Sequence, residues 1–344
     1  MKRFTHCTRW LLPLALLLLC ICALLVGCHK EPPYTPDAPQ GGEPVAKSAL
    51  VFTLMADGSY AVSAGEGLGT RVSIPATHEG KPVRAVAARG FLECESLCEV
   101  ILPEGLTVIG ERAFAGCTGL SSLTLPRSLD TLEKEALRDC ASLCSLTLPE
   151  GLTVIGDAAL EGCSSLTSLQ LPASLSSLGK YALFRCTGLN EISVAPGNAV
   201  YTSVSNCVIE RATCTLTVGI ATSVIPEDGS VTRVGEHAFA GCVGLTTLVI
   251  PDAVTHLSDG AFQGCTALAQ IVLGKGIRSI GYLTFEDCAA ITALYYKGSA
   301  GTFALISACP CNEYLLDAPR FYYSDEPRDE HWCFDENGKP AVWS

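Results

Sequence analysis

The sequence is short of charge and of the residues that usually line a cofactor pocket. Only 17% of its 344 residues are charged and 48% are hydrophobic, which excludes a disordered acidic tail or a solvating linker. The 23 lysines and arginines are outnumbered by 35 acidic residues, so a nucleic acid partner is excluded, because too little positive charge is present to neutralise phosphates. Three tryptophans and two methionines leave little for an aromatic-lined cofactor pocket, and we expect no cofactor.

Motifs for catalysis are absent as well. The sequence contains no H-E-x-x-H, G-x-S-x-G, P-loop or dinucleotide-binding fingerprint, and its six histidines are scattered along the chain. The acidic pairs Asp325/Glu326 and Asp329/Glu330 lie in a charge-rich segment, which is typical of solvated side chains. We therefore predict a protein that is not an enzyme, with no catalytic, cofactor-binding or metal-binding residues.

The N-terminus has the features of an export signal. Lys2, Arg3 and Arg9 precede an apolar run from Leu11 to Val26, whose 16 residues fall short of the roughly 20 that span a bilayer. The run ends in Leu25-Val26-Gly27-Cys28, which resembles the lipobox of bacterial lipoproteins. The resemblance implies cleavage after residue 27 and acylation of the thiol and new amine of Cys28. A plain secretory signal or an N-terminal membrane helix is the alternative.

This resemblance implies a location and a membrane attachment. Two acyl chains are enough for stable anchoring, so we expect a lipid-anchored protein on the extracellular face, in the outer membrane if the envelope has two membranes. The lipid is expected to be the only contact with the membrane. Residues 28–47, with five prolines and the pair Gly41-Gly42, are predicted to form a tether that buries no core.

A 23-residue period organises most of the chain after residue 90. Proline or its substitute recurs at Pro103, Pro126, Pro149, Pro172, Pro251 and Gly274. Eleven residues later stands a large apolar residue, and three further on a cysteine: Phe114/Cys117, Leu137/Cys140, Leu160/Cys163, Leu183/Cys186, Phe262/Cys265 and Phe285/Cys288. Phe91/Cys94 and Phe239/Cys242 keep the same local pair. Such columns indicate an array in which each unit packs on its neighbours.

Each unit has the pattern of one coil. Leu-x-x-Leu-x-Leu predicts a short strand with one buried face, proline ends it, and a second extended piece follows. Glycines such as Gly110 and Gly156 are predicted to turn the corner, through a positive φ or a close backbone approach, before a short helical turn. The predicted fold is a right-handed, β-rich repeat solenoid of about eight to nine coils.

The 23-residue unit, as in the run from Leu102 to Cys117, closely resembles the BspA-type leucine-rich repeat over about residues 70–296. Relatives of this kind are mostly secreted or surface-attached bacterial proteins, some described as adhesins. The resemblance implies the fold and the surface setting, and it supplies no catalytic residues.

The domain boundaries follow from these patterns. We predict a signal peptide (1–27), a lipidated tether (28–47), an N-terminal β-hairpin cap (48–74), the array (75–296, with an irregular insertion at 195–225) and an aromatic C-terminal cap (297–344). Within the insertion, residues 206–210 and 214–218 are candidates for paired strands.

The cysteines outside the signal peptide allow several interpretations. Those in the repeat column are predicted to be buried, unreactive thiols, with a chain of disulfides as the alternative. Cys207 and Cys214 are candidates for a bridge across the inserted hairpin. Cys309, Cys311, His331 and Cys333 could bind Zn²⁺, form a disulfide, or act as independent cap residues.

The remaining candidate for function is the outward face of the strands. The outward columns are predicted at Glu99, Ser122, Ser145, Ser168, Glu191, Thr247, Gln270, Ala293 and at Ile101, Thr124, Thr147, Gln170, Ser193, Val249, Val272, Tyr295. Truncating Tyr295 is accordingly expected to cost little stability. The hydroxyl and amide groups of the middle coils form the candidate binding face: Ser122, Thr124, Ser145, Thr147, Ser168 and Gln170.

Such a face predicts a binding protein with an extracellular protein or glycan of unknown identity as its partner. We expect the chain to be monomeric. One alternative is a structural spacer protein, on which Ser and Thr face water and bind no ligand. A third possibility is an accessory protein for carbohydrate processing.

Overall fold

The computed structural model describes residues 49–326, 329, 331–335 and 339–343. The proposed signal peptide, Cys28 and the tether lie outside the described residues. The first part of the chain contains β1 (Leu50–Leu54), β2 (Tyr60–Ala64), β3 (Arg71–Ser73), β4 (Thr77–His78), β5 (Lys81–Val86), β6 (Glu99–Ile101), β7 (Val108–Ile109), β8 (Ser122–Thr124), β9 (Thr131–Leu132), β10 (Val154–Ile155), β11 (Ser168–Leu171), β12 (Ser177–Leu178) and β13 (Glu191–Val194).

The second part continues the series and adds two short helices. Its elements are β14 (Tyr201–Val204), β15 (Cys207–Glu210), β16 (Thr215–Val218), β17 (Arg233–Val234), β18 (Thr247–Ile250), β19 (His256–Leu257), β20 (Gln270–Leu273), β21 (Ser279–Ile280), β22 (Ala293–Tyr296), α1 (Ala300–Phe303), β23 (Ser307–Ala308), α2 (Glu313–Leu316), β24 (Arg320–Tyr323), β25 (His331–Phe334) and β26 (Pro340–Val342). Within the described residues, no helix combines the length and hydrophobicity needed to cross a membrane.

These elements form a β-solenoid of about 11 turns with a spacing of about 23 residues, as the sequence period predicts. The strand register shows the period directly, because Val108 pairs in parallel with Thr131, Thr131 with Val154, and Val154 with Ser177. The turn count exceeds the eight to nine coils expected. The excess arises because β2, the inserted strand β16 and β23 each pair in parallel with a repeat strand and so extend the stack.

The strands lie in two ladders. The first ladder holds the strands of the leucine motifs and consists of three separate sheets: β3-β6-β8, β11-β13, and β18-β20-β22-β24-β25-β26. The second ladder holds the short strands that follow the prolines, together with the N-terminal hairpin and the inserted strands, in the sheets β1-β2-β5-β7-β9-β10-β12 and β14-β15-β16-β17-β19-β21-β23. At its N-terminal end, β1 and β2 form the expected antiparallel hairpin, with Leu50 opposite Ala64.

The turns between the ladders differ from the helical turns expected. In the described array they are successive β-turns closed by bonds from N–H to the carbonyl three residues earlier, such as Cys117 to Phe114 at 3.1 Å. Each coil places two residues in the left-handed region, for example Glu135 and Asp139 at φ 55° and 56°. Two left-handed residues four apart interrupt any helix, so the Ala-Phe pairs are buried by a chain of turns.

Glycine is required before these turns because neighbouring coils approach each other closely there. Gly110 and Gly156 do not have a positive φ. A Cβ at Gly110 would lie 2.7 Å from the backbone nitrogen of Ala88, and one at Gly156 would lie 2.6 Å from that of Lys134. The previous coil's backbone occupies the space of a side chain, so of the two reasons considered, close approach is the operative one.

The cysteine column is an interior hydrogen-bonding ladder. Cys117 donates its thiol proton to the carbonyl of Phe91 at 3.0 Å, and Cys140, Cys163 and Cys186 donate to carbonyls 26 residues earlier at 3.1–3.3 Å. All four thiols are buried, and all are free of disulfides. Burial raises the pKa of Cys117 to about 12 and that of Cys140 well above its ordinary value. Cysteine recurs because a small apolar side chain with one weak donor fits this site.

We expect native column cysteines to resist alkylation, because the thiolate is the reactive form and burial disfavours it. Iodoacetamide should label Cys140 and Cys163 only after denaturation, whereas the half-buried Cys144 should react first. Peptide mass spectrometry of protein alkylated before and after denaturation measures this difference. Rapid labelling of Cys140 and Cys163 in the native protein would contradict their burial.

The insertion forms a small antiparallel sheet. Strands β14, β15 and β16 pair in order, and β16 then joins the second ladder through Leu216 and Val234. The pairing of β15 with β16 agrees with the candidate strands in the sequence. Cys207 and Cys214 are both free, and the thiol of Cys207 donates to the carbonyl of Val224 at 3.4 Å instead. The bridge considered across this hairpin is therefore not present.

The exposure predicted for the outward residues of the last strands is wrong. Val272, Ala293 and Tyr295 are 0%, 6% and 5% exposed, where the alternation predicted outward-facing side chains. They form a small separate core with Trp332, whose ring lies 5.5 Å from that of Tyr295 and whose Nε1 donates to the carbonyl of Tyr296 at 3.1 Å. Their side chains do leave the main core, but the C-terminal strands cover them.

Candidate functional site on the sheet face of the middle coils

The six residues of the candidate binding face all lie on the solvent side of the first ladder. Ser122, Thr124, Ser145, Thr147, Ser168 and Gln170 are exposed, and the leucines between them are buried. Leu123, Leu146 and Leu169 alternate with them because successive side chains of an extended chain point to opposite faces. The structure therefore places the six polar side chains on one continuous surface.

This surface contains a groove of about 760 Å³. Five of the six residues line it, namely Ser122, Thr124, Ser145, Thr147 and Gln170. Arg127 and Glu150 lie along the same groove, as do Pro149 and Gly151. The lining offers hydroxyl, amide, guanidinium and carboxylate groups, which together can donate to and accept from an extended polar ligand.

The groove coincides with a break in the first ladder. The sheet β3-β6-β8 ends at Thr124 and the sheet β11-β13 begins at Ser168, while residues 144–148 between them form no strand. Among the described residues, no backbone hydrogen bond joins residues 144–148 to either neighbouring coil. Strong backbone donors and acceptors are thus left without ladder partners beside exposed hydroxyl groups.

Glutamates at the rim hold the neighbouring coils in register. Glu150 accepts a hydrogen bond from the backbone N–H of Ala173 at 3.2 Å, and Glu104 accepts one from Arg127 at 3.3 Å. Among the described residues, the guanidinium of Arg127 takes part in no ion pair. It is exposed at the groove and can contact an acidic or carbonyl-rich ligand.

A second groove of about 730 Å³, the turn-face groove, was missed from the sequence. It is lined by residues from both sides of the insertion, including Tyr181, Phe184, Arg185, Gln263, Asp287 and Tyr314. Tyr181 stacks on His237 at 3.9 Å, and its hydroxyl donates to Gln263 at 3.4 Å, so coils 82 residues apart meet here. Burial raises the pKa of Glu161, which lines the same groove.

The residues considered as metal ligands are not brought together. Within the described residues, no group of three or more His, Cys, Asp or Glu side chains could hold a metal ion. Cys309 and Cys311 are adjacent, whereas Nδ1 of His331 bonds the backbone carbonyl of Asp329 at 2.8 Å.

Two solved structures with TM-scores above 0.5 support the fold. A leucine-rich repeat protein from Bacteroides ovatus is 23% identical, with 72% of this chain and 70% of that chain covered and a TM-score of 0.52. One from Eubacterium ventriosum is 20% identical, with 78% and 75% covered and a TM-score of 0.56. A leucine rich cell surface protein from Faecalibacterium prausnitzii is 22% identical, with 79% and 99% covered and a TM-score of 0.41.

No curated protein matches the sequence. The family model described as the BspA type leucine rich repeat region matches residues 84–209 and 217–305 in six copies, which is more than half of the chain. The matched ranges contain most strands of both ladders, the cysteine column and the groove on the sheet face. The chain therefore belongs to the BspA-type leucine-rich repeat family.

Proposed function

We propose that this chain is a non-enzymatic binding protein, anchored at the cell surface through Cys28, that contacts an extracellular protein or glycan. The sheet-face groove between Ser122 and Gln170 is the contact site. The observation that carries the proposal is the row of exposed hydroxyl and amide groups that lines the groove, at the place where residues 144–148 make no ladder bonds. Proteins and glycans both present alternating donors and acceptors that can pair with such groups.

The character of the groove favours polar recognition. Ser and Thr side chains are short and lose little rotamer freedom on binding, while the buried leucines beneath them hold the backbone in place. Leucine-rich arrays frequently bind partners along an extended sheet, and that analogy of fold supports the location. A structural spacer is the competing function, and it assigns no role to the break in the ladder.

A binding screen tests the proposal. The full-length chain, purified in detergent, is applied at micromolar concentration to arrays of extracellular proteins and glycans. Retention of one class of ligand supports the binding function, and absence of any retained ligand supports the structural spacer. The aromatic turn-face groove provides a comparison site, because Tyr314→Ala changes it without touching the sheet face.

The membrane anchor has its own test. Cys28→Ala removes the thiol that the lipobox resemblance marks for acylation, so lipid labelling should be abolished and precursor or released protein should accumulate. Metabolic labelling with a palmitate analogue, followed by membrane fractionation, measures both effects. Continued incorporation of lipid by the variant would contradict the anchor, while leaving the binding function open to its own test.

A further inference from the structure

The segment Cys309-Pro310-Cys311-Asn312 closes the last turn of the solenoid. In the array, turn N–H groups donate to the following coil, as Arg112 does to the carbonyl of Lys134 at 3.0 Å. At the end of the array these partners change to side chains. The Leu283 N–H donates to the sulfur of Cys311 at 3.2 Å, and the Phe285 N–H donates to Oδ1 of Asn312 at 3.1 Å.

The same contacts hold two thiols against each other. The sulfur atoms of Cys309 and Cys311 are 2.7 Å apart. The Cys309 N–H donates to the carbonyl of Ile280 at 3.1 Å, and Nδ2 of Asn312 donates to the carbonyls of Gly281 and Cys309, both at 2.9 Å. Pro310 fixes φ in the middle of the segment. A disulfide needs the sulfurs to approach by only about 0.7 Å more, with the backbone already in place.

We propose that Cys309 and Cys311 form a disulfide that is made and opened by exchange with small-molecule thiols and disulfides. The inference goes beyond the binding function and does not depend on it. In the oxidising direction, one thiolate attacks a small-molecule disulfide and releases one small thiol. The second cysteine thiolate then attacks the mixed disulfide, forms the Cys309–Cys311 bond and releases the second small thiol. The two protons of the cysteines leave with the two released thiolates, and the small disulfide is the oxidant.

The position of Cys309 and Cys311 suits a disulfide that exchanges with small thiols rather than one that permanently stabilises the fold. Both side chains are only half-buried, so a small thiol can reach them. The bond closes a loop of three residues, which restricts the unfolded chain little compared with a long loop. Divalent sulfur remains a weak acceptor in either state, so the Leu283 N–H keeps its partner and the pair can cycle without unfolding the last coil.

A redox titration tests the proposal. The full-length chain is equilibrated in glutathione buffers from reducing to oxidising, quenched with acid, denatured, alkylated with N-ethylmaleimide and digested. The peptide with both cysteines should carry two labels in reducing buffer. In oxidising buffer it should be unlabelled and lighter by two hydrogen atoms, with one two-electron midpoint. Cys117 and Cys163 serve as internal controls that take the label in every buffer after denaturation.

Single variants identify the partner. In oxidising buffer, Cys309→Ser and Cys311→Ser should each carry a mixed disulfide with glutathione, and Cys333→Ser should leave the transition unchanged. Full labelling of both cysteines in oxidising buffer overturns the proposal, as does loss of the transition in Cys333→Ser. The titration of the unaltered chain decides the question even if a variant fails to fold.

Discussion

Leu160→Ala should lower the free energy of unfolding by about 2–5 kcal/mol, through the lost transfer free energy and the cavity left behind. Leu160 is 1% exposed and lies in the unbroken part of the array. Its N–H donates to the carbonyl of Ala182 at 3.0 Å, and its carbonyl accepts the thiol of Cys186 at 3.1 Å. Because one coil supports the next, the truncation weakens two interfaces.

Leu305→Ala is the matched control, since the same atoms are removed from a side chain that is 82% exposed. Its effect should stay within about 0.5 kcal/mol. Urea denaturation of the two full-length variants, followed by far-UV circular dichroism, gives both values. Equal midpoints would mean that the apolar column does not hold the coils together.

Tyr295→Ala should cost about 3 kcal/mol, which reverses the expectation drawn from the strand alternation. The Tyr295 ring is stacked with Phe321 at a centroid distance of 5.5 Å and packs against Trp332 at the same distance. Its removal leaves a cavity in the small core on the outer side of the sheet. The substitution should also weaken the packing of β25 on the sheet, because Trp332 would lose its contact with the Tyr295 ring.

Tyr282→Ala is the control for this substitution, because Tyr282 is 55% exposed. It should change the urea midpoint little. A loss at Tyr295 no greater than that at Tyr282 would show that the C-terminal strands do not stabilise the array, and would restore Tyr295 to an open surface.

The fold of the repeat array could be predicted from the sequence, because every coil buries the same positions of the repeat. Leu120, Leu143 and Leu166 are all fully buried because each coil meets the same neighbours, so the column positions carry the architecture. Alternation also predicted the exposure of the six groove residues. Alternation could not show whether another part of the chain covers an outward residue. Trp332, which covers Tyr295, lies 36 residues beyond Tyr296, in a segment that lacks the 23-residue period.

Other features of the structure depend on contacts between residues whose spacing in the sequence follows no pattern, so the sequence could not predict them. Residues 144–148 carry the same leucine pattern as their neighbours, yet they form no ladder bonds, so the break beneath the groove is visible only in three dimensions. Tyr181 meets His237 on the turn side, although the inserted segment separates the two residues in the chain. Asn312 and Cys311 satisfy turn N–H groups in a segment that looked like a cysteine motif.

The most direct test of the binding function compares three full-length chains on the same protein and glycan arrays: the unaltered chain, Ser145→Arg and Ser177→Arg. Ser145 lies in the sheet-face groove, whereas Ser177 is an exposed serine on the second ladder. We predict a retained ligand whose affinity falls at least about tenfold in Ser145→Arg, a loss of about 1.4 kcal/mol, and stays unchanged in Ser177→Arg. A ligand bound equally by all three chains, or no ligand for the unaltered chain, would contradict the assignment of this groove.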